Sequence, residues 1–507
     1  MRAIILAILL VSFFIVYLVI LFCFYVNNEN YYDYRNNILE SELKQTVGGN
    51  TNLTDKENIV NNCLMRHKNN EIDYGFDHPD LYNFSQHFFK YKDWIPRSKV
   101  YKIIKDMPKG SVLHIHDVAV LGPDYMLNLT YKDYLYVCIG VKVHFLFSNV
   151  IPNNSCDVGW RLMGDVRKSM ENITQFNAEI RNHFTLVADN PDAKYPTIKH
   201  SWGRFTKYFG TVHNLLTYRP IWKQYVYDVL KAFKEDNVMY AELRSSLPIL
   251  YDLNGTVYDQ IDTAKDYREV IDKFVEENPD FFGAKLIYAL WRGVDANKLA
   301  KGIQLVKEIS KAVPDLLVGF DLIGQEDKGK PLIDFVPQLQ AVEDLNFFFH
   351  AGETDWFGTP TDENLIDAVL LGAKRIGHAY ALTKHPIVMQ EILERDIGLE
   401  VNLLSNLILS LVRDVRNHPL SVFLSYGLPV VLSSDDPGVW EVDPLSHDFY
   451  VAFVGIANKH SDLRLLKTLA LNSLKYSALD PADMQKAIQA FHLKWNHFID
   501  DFDCSTY

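Results

Sequence analysis

From Pro108 onward, eight short apolar runs alternate with stretches of helix length, and that alternation leaves few folds open. The runs lie at 111–116, 238–243, 284–290, 317–322, 347–350, 375–378, 399–403 and 430–434, with amphipathic stretches such as 299–313 and 364–371 between them. Eight strands alternating with helices predict an α/β chain, a (β/α)8 TIM barrel, over a sandwich or a bundle. The rival is a doubly wound sheet, but no Gly-rich phosphate turn follows the first run. At 507 residues and 48% hydrophobic, the chain has material for such a core and for additions to it.

Those additions are legible as changes of pattern. Residues 1–26 hold an almost continuous apolar leader, which fits a cleaved secretory signal and equally an uncleaved signal-anchor. Residues 27–105 precede the first strand and read as a helical region from about Asp55, with Leu81, Phe84, Phe88 and Phe89 at helical spacing. The barrel starts over 106–124, an inserted module interrupts it over 125–182, and the catalytic barrel resumes over 183–500.

Six glycosylation sequons, at Asn52, Asn83, Asn128, Asn153, Asn172 and Asn254, are confined to the N-terminal half. Cys138 and Cys156 flank a polar loop in the insert, and in an oxidising compartment a disulfide is expected to pin it. Cys63 and Cys504 are left as free thiols, partners of each other, or intermolecular. Together these features predict an extracellular protein, or a type II membrane-anchored one with its catalytic domain outside. A net charge of -13 argues against nucleic acid as a partner.

The chemistry sits at the ends of the strand-like runs. His114 and His116 are two apart on one strand, so their side chains leave the same face and can reach one ion. An aromatic run ends in His350-Ala351-Gly352-Glu353, which offers a ligand and an acid at one strand end, and His378 ends the next run. Asp435 and Asp436 close the last; two adjacent carboxylates there are costly to bury unless paired or bound to metal, although Asp-Asp-Pro could also cap a helix. Strand ends of a barrel converge on one mouth. Three His and one Asp there suit zinc, keep a coordination position for water, and make that water acidic. His378 would orient or help deprotonate the water, and a protonated Glu353 would donate to a ring nitrogen.

This constellation resembles the adenosine deaminase branch of the amidohydrolase barrels, and more closely the secreted adenosine deaminase 2 group, also called adenosine deaminase-related growth factors. The matching motifs are Met107-Pro108-Lys109-Gly110, His114-Ile115-His116-Asp117, His350-Ala351-Gly352-Glu353-Thr354-Asp355-Trp356, Arg375-Ile376-Gly377-His378, Arg416-Asn417-His418-Pro419 and Ser433-Ser434-Asp435-Asp436-Pro437. The resemblance implies one Zn2+ per subunit on His114, His116, His350 and Asp435. It makes Glu353 the proton donor, His378 the aid to water attack, and Trp202, Gly324 and Asp436 the substrate contacts. The implied reaction is hydrolytic deamination of adenosine or 2′-deoxyadenosine to the inosine product and ammonia, lowering extracellular adenosine. A homodimer through the N-terminal helices, growth-factor-like activity, and a cell-surface receptor or glycosaminoglycan as partner are implied as well.

Two departures touch the pocket rather than the metal. Trp291 stands where family members commonly carry His, and Leu403-Leu404-Ser405-Asn406-Leu407 replaces a segment that usually has Pro and Gln beside Ser-Asn. They leave open a related amidohydrolase acting on another aminated substrate. They also leave open an extracellular nucleoside-binding signalling protein with weak or no catalysis.

Overall fold

A computed structural model of the chain describes every residue except 343, and it leaves the side chains of 2–4, 6 and 22–29 undescribed. The leader expected over 1–26 therefore falls partly outside the described residues. A helix spans Arg2–Gln45. Among the described residues, no helix is long and apolar enough to cross a membrane.

All eight expected strands form. In chain order they are β1 (Gly110–His116), β2 (Val238–Ser245), β3 (Ala284–Trp291), β4 (Leu317–Ile323), β5 (His350–Ala351), β6 (Arg375–His378), β7 (Gly398–Asn402) and β8 (Val430–Ser433). The first four pair in parallel in the order β1-β2-β3-β4, and the last four in the order β5-β6-β7-β8. Parallel bridges at Phe320–Phe347 and Ile115–Asp435 join the two halves on both sides and close the ring. At the second seam the Asp435 amide donates to the His114 carbonyl and the His116 amide to the Asp435 carbonyl, at 3.2 and 2.9 Å.

Helices on the outside follow the amphipathic pattern. Ala296–Ala312 buries Leu299, Ile303, Val306 and Ile309, positions three or four apart, and the Asp295 side chain caps its first turn. The insert holds a three-stranded antiparallel sheet in the order Val143–Phe147, Leu135–Ile139, Arg161–Leu162, and the Cys138–Cys156 disulfide pins it as expected. Between Phe184 and helix Ile198–Leu216, where barrel helix was expected from 183, only the four-residue helix Pro191–Lys194 intervenes.

The N-terminal region is helical only in part. Helix Asp55–Asp77 forms with a capping box between Thr54 and Glu57, and Lys99–Asp106 leads into β1. Between them, 79–97 is a string of 3-10 turns rather than a helix. Pro79 and Pro96 interrupt the amide ladder there, and Phe84 is buried from one turn and Phe88 and Phe89 from the next, instead of along one stripe. Helix Asp55–Asp77 is fastened to the C-terminal part of the chain: Cys63 pairs with Cys504 in the last 3-10 turn, and the buried Glu57 accepts from Lys467 on helix Leu463–Lys475 and from the Trp495 indole on helix Pro481–Asp500.

Candidate active site

Strand alternation sets the first part of the site. His114 and His116 project from one face of β1, β5 begins with His350, β6 ends at His378, and Asp435 follows β8. Their ligand atoms meet: His114, His116, His350 and Asp435 each place one within 4.8 Å of all the others. His114 Nε2 lies 3.1 Å from His350 Nε2, and Asp435 Oδ1 lies 3.1 Å from His116 Nε2 and 3.4 Å from His114 Nε2.

The protons show what such a cluster accepts. His114 Nδ1 faces Glu400 at 2.8 Å, and His350 Nδ1 faces Asp321 at 2.6 Å. An ionised carboxylate only accepts, so each ring donates through Nδ1, and a neutral ring then keeps its lone pair on Nε2. Burial holds His350 neutral, with its pKa lowered to about 3. Two imidazole lone pairs and Asp435 Oδ1, which is buried without a hydrogen-bond partner, thus converge with no proton between them. A cation resolves that repulsion, and the donor set fits a divalent metal.

Behind the ligands lies a layer of charge that sequence reading did not find. Arg244 on β2 donates to Asp321 at 2.7 Å and to Glu400 at 2.6 Å, so one guanidinium ties together the carboxylates that orient two of the rings. Arg375 on β6 continues the chain to Glu400 and to Glu242. All five side chains are buried. For Asp321, burial opposes ionisation, but His350 and Arg244 outweigh it and hold the carboxyl well below its usual range. The signal available in the sequence was Glu242 and Arg244 on one face of an otherwise apolar strand.

A second cluster gathers Glu353, His378 and Asp435. His378 Nδ1 is 3.4 Å from Glu353 Oε1, and its Nε2 is 3.9 Å from Asp435 Oδ2. Glu326 accepts the backbone amides of Gly352 and Glu353 at 3.0 and 2.6 Å, fixing the turn that carries the acid. Gly352 has φ +77°, and a Cβ there would come within 2.8 Å of Leu365, so the turn requires glycine. Burial, then the charges of Asp435 and Glu326, push the Glu353 carboxyl well above its usual pKa. His378 and Asp435 themselves have φ of 64° and 61°, a left-handed conformation uncommon for side chains of this kind.

Asp436 precedes helix Pro437–Trp440, yet its side chain caps nothing. Both of its oxygens are buried without a partner, and burial together with Asp435 raises its pKa. The capping role open to Asp436 in the sequence is thus not taken up. Trp202 lies on helix Ile198–Leu216 and lines an open cleft of about 960 Å³ with Gln325, Asp327 and Trp356. Gly324 has φ +106° and sits beneath Trp291, whose ring a Cβ would meet at 2.3 Å. Trp291, 54% exposed, stands at the end of β3 beside the cleft's Gln325 loop rather than among the metal-ligand cluster.

Known proteins share this plan. The family model for adenosine deaminase matches residues 169–491, and one for the adenosine/AMP deaminase N-terminal region matches 14–104. An adenosine deaminase of Phlebotomus duboscqi is 43% identical, over 92% of this chain and 91% of its own length. The human adenosine deaminase 2 is 38% identical, over 92% of this chain and 93% of its own. Among solved structures, the N6-methyl-AMP deaminase of Arabidopsis thaliana superposes with a TM-score of 0.55 at 17% identity, covering 78% of this chain and 98% of its own. A Burkholderia ambifaria amidohydrolase with bound Zn superposes at 0.54 and 19% identity, covering 79% of this chain and 94% of its own. At those identities the solved structures speak to fold alone, while the family model and the relatives of 38–43% identity establish kinship: the chain belongs to the adenosine deaminase family.

Proposed function

We propose that this protein is a zinc-dependent deaminase that hydrolyses adenosine, and 2′-deoxyadenosine, to the inosine product and ammonia. The observation that carries the reading is the convergence of His114, His116, His350 and Asp435 on one point, with Glu353 and His378 beside it. A zinc ion held there supplies an acidified water near neutral pH. Glu353, kept protonated by its burial, delivers a proton to a ring nitrogen and makes the adjacent carbon electrophilic. His378 faces the attacking water, and Asp436, whose carboxyl has no protein partner, meets the base. Trp202 walls the approach from the cleft, and Gly324, packed against the Trp291 ring, is the remaining substrate contact.

Export is part of the proposal. Two disulfides suit an oxidising compartment, and five of the six sequon asparagines are exposed, Asn83 being half-buried. We assign residues 27–105 to homodimer formation, the insert of 125–182 to a separate module, and a receptor or glycosaminoglycan contact to the surface outside the barrel.

The test mixes purified chain with adenosine and follows the loss of its absorbance, with and without a chelator. Turnover that stops on chelation and returns with zinc is expected. No turnover in folded, zinc-loaded protein would defeat the enzymatic reading.

A further inference from the structure

One motif has no place in the reaction so far. His418, in Arg416-Asn417-His418-Pro419, is buried and lies 40 residues beyond His378 in the chain, yet one side chain connects the two. The Leu420 amide donates to His418 Nδ1 at 3.0 Å. A backbone N–H can only donate, so Nδ1 must carry the lone pair. Burial keeps His418 neutral, with its pKa lowered to about 3, and its proton therefore sits on Nε2. Nε2 lies 3.0 Å from Asn406 Oδ1 and donates to it.

That contact decides which way the Asn406 amide points. With its oxygen taken by His418, its nitrogen turns to His378 and donates to Nδ1 at 3.3 Å. An acceptor Nδ1 in a neutral imidazole places the proton on Nε2, the atom that faces Asp435. The other neighbour of Nε2 is the Asn402 amide, 3.3 Å away, whose nitrogen as placed sets N–H against N–H and calls for the opposite amide rotamer. Its Oδ1 is otherwise buried without a partner. Amide oxygen and nitrogen are interchangeable in shape, so a half-turn lets that oxygen accept from Nε2–H.

We propose that His418 and Asn406 are positioning residues that fix His378 as the Nε2–H tautomer, so that His378 meets the attacking water as a hydrogen-bond donor and not as its base. The inference rests on the deaminase reading for what the donor faces, but the tautomer itself is a property of the folded, metal-loaded chain. It also gives Asn406 a duty inside a segment that otherwise departs from the family pattern.

The experiment is a long-range proton–nitrogen correlation on the zinc-loaded full chain carrying 15N-histidine, with the His378 signals assigned by their loss in His378→Gln. A protonated Nε2 and an unprotonated Nδ1 are expected. Asn406→Asp places an acceptor at Nδ1; it should move the proton to Nδ1 and lower kcat on the order of a hundredfold with KM little changed. His418→Gln keeps an N–H toward Asn406 and should retain most turnover, whereas His418→Leu should not. A proton on Nδ1 in the unaltered protein overturns the proposal, as does a folded Asn406→Asp variant with unchanged kcat. A chain that turned over no adenosine would defeat the functional reading, and the nitrogen shifts would still report the tautomer.

Discussion

Asp321→Asn tests the idea that the buried charge layer, and not the ligands alone, makes the metal site. Asp321 does three things: Oδ1 accepts the His350 backbone amide at 2.8 Å, and Oδ2 accepts from His350 Nδ1 at 2.6 Å and from Arg244 Nε at 2.7 Å. Asparagine has the same shape but only one acceptor oxygen. Whichever way its amide turns, an N–H meets an N–H at one of these points, which costs about 1–3 kcal/mol in the metal-free protein. The full penalty of breaking a buried ion pair, about 3–5 kcal/mol, is not expected. Arg244 keeps Glu400 at 2.6 Å, so its charge is not left alone. The larger effect is on the ring. Without a carboxylate on Nδ1, His350 loses both its fixed tautomer and part of its basicity, and outer partners of this kind are worth roughly 10–100-fold in metal affinity. That range corresponds to about 1.4–2.7 kcal/mol. The assay titrates metal-free protein with zinc against a competing chelator, alongside thermal melts of the metal-free form. Zinc affinity equal to that of the unaltered protein, in a variant that melts cooperatively, would refute the reasoning.

Two further outcomes follow from the same geometry. Glu353 has a pKa raised well above 4.5, so the donor function proposed for it should persist above the ordinary carboxylate range and disappear as pH rises through the raised value. Stability of the metal-free protein follows the same sign, being fullest below the unfolded pKa and lost as pH rises through the folded one. Glu353→Gln should hold zinc, lose most turnover, and flatten that alkaline loss of stability in melts run across pH; full activity in this variant would remove Glu353 from the donor role. The two disulfides should differ in weight, because Cys63–Cys504 spans 441 residues and Cys138–Cys156 spans 18. Loop-closure entropy makes the longer bridge worth about 3 kcal/mol more. Denaturant midpoints of the paired Cys→Ser variants measure the difference, and equal losses would contradict it.

Much of this protein was legible from sequence because the relevant signals are local. Strand and helix periods are set by neighbours a few residues apart, so the eight strands could be read, and His114-Ile115-His116 could be placed on one face of a strand. Ligand-type residues at strand ends could then be collected at one mouth, since a barrel brings its strand ends together. Over 79–97 the same reading overreached: helical spacing of Phe84, Phe88 and Phe89 was satisfied by separate 3-10 turns that tertiary burial holds in place.

What only the folded chain decided is which side chain answers which. The partners of Arg244 lie 77 and 156 residues away on β4 and β7, and nothing along the chain marks Asp321 or Glu400 as the residues that orient His350 and His114. Nor could spacing choose among the fates of Cys63 and Cys504, or find the path from His418 through Asn406 to His378. The reason is physical. Burial makes an unpaired charge or polar atom costly, so these groups must find partners, but the ring of strands determines which ones lie within reach.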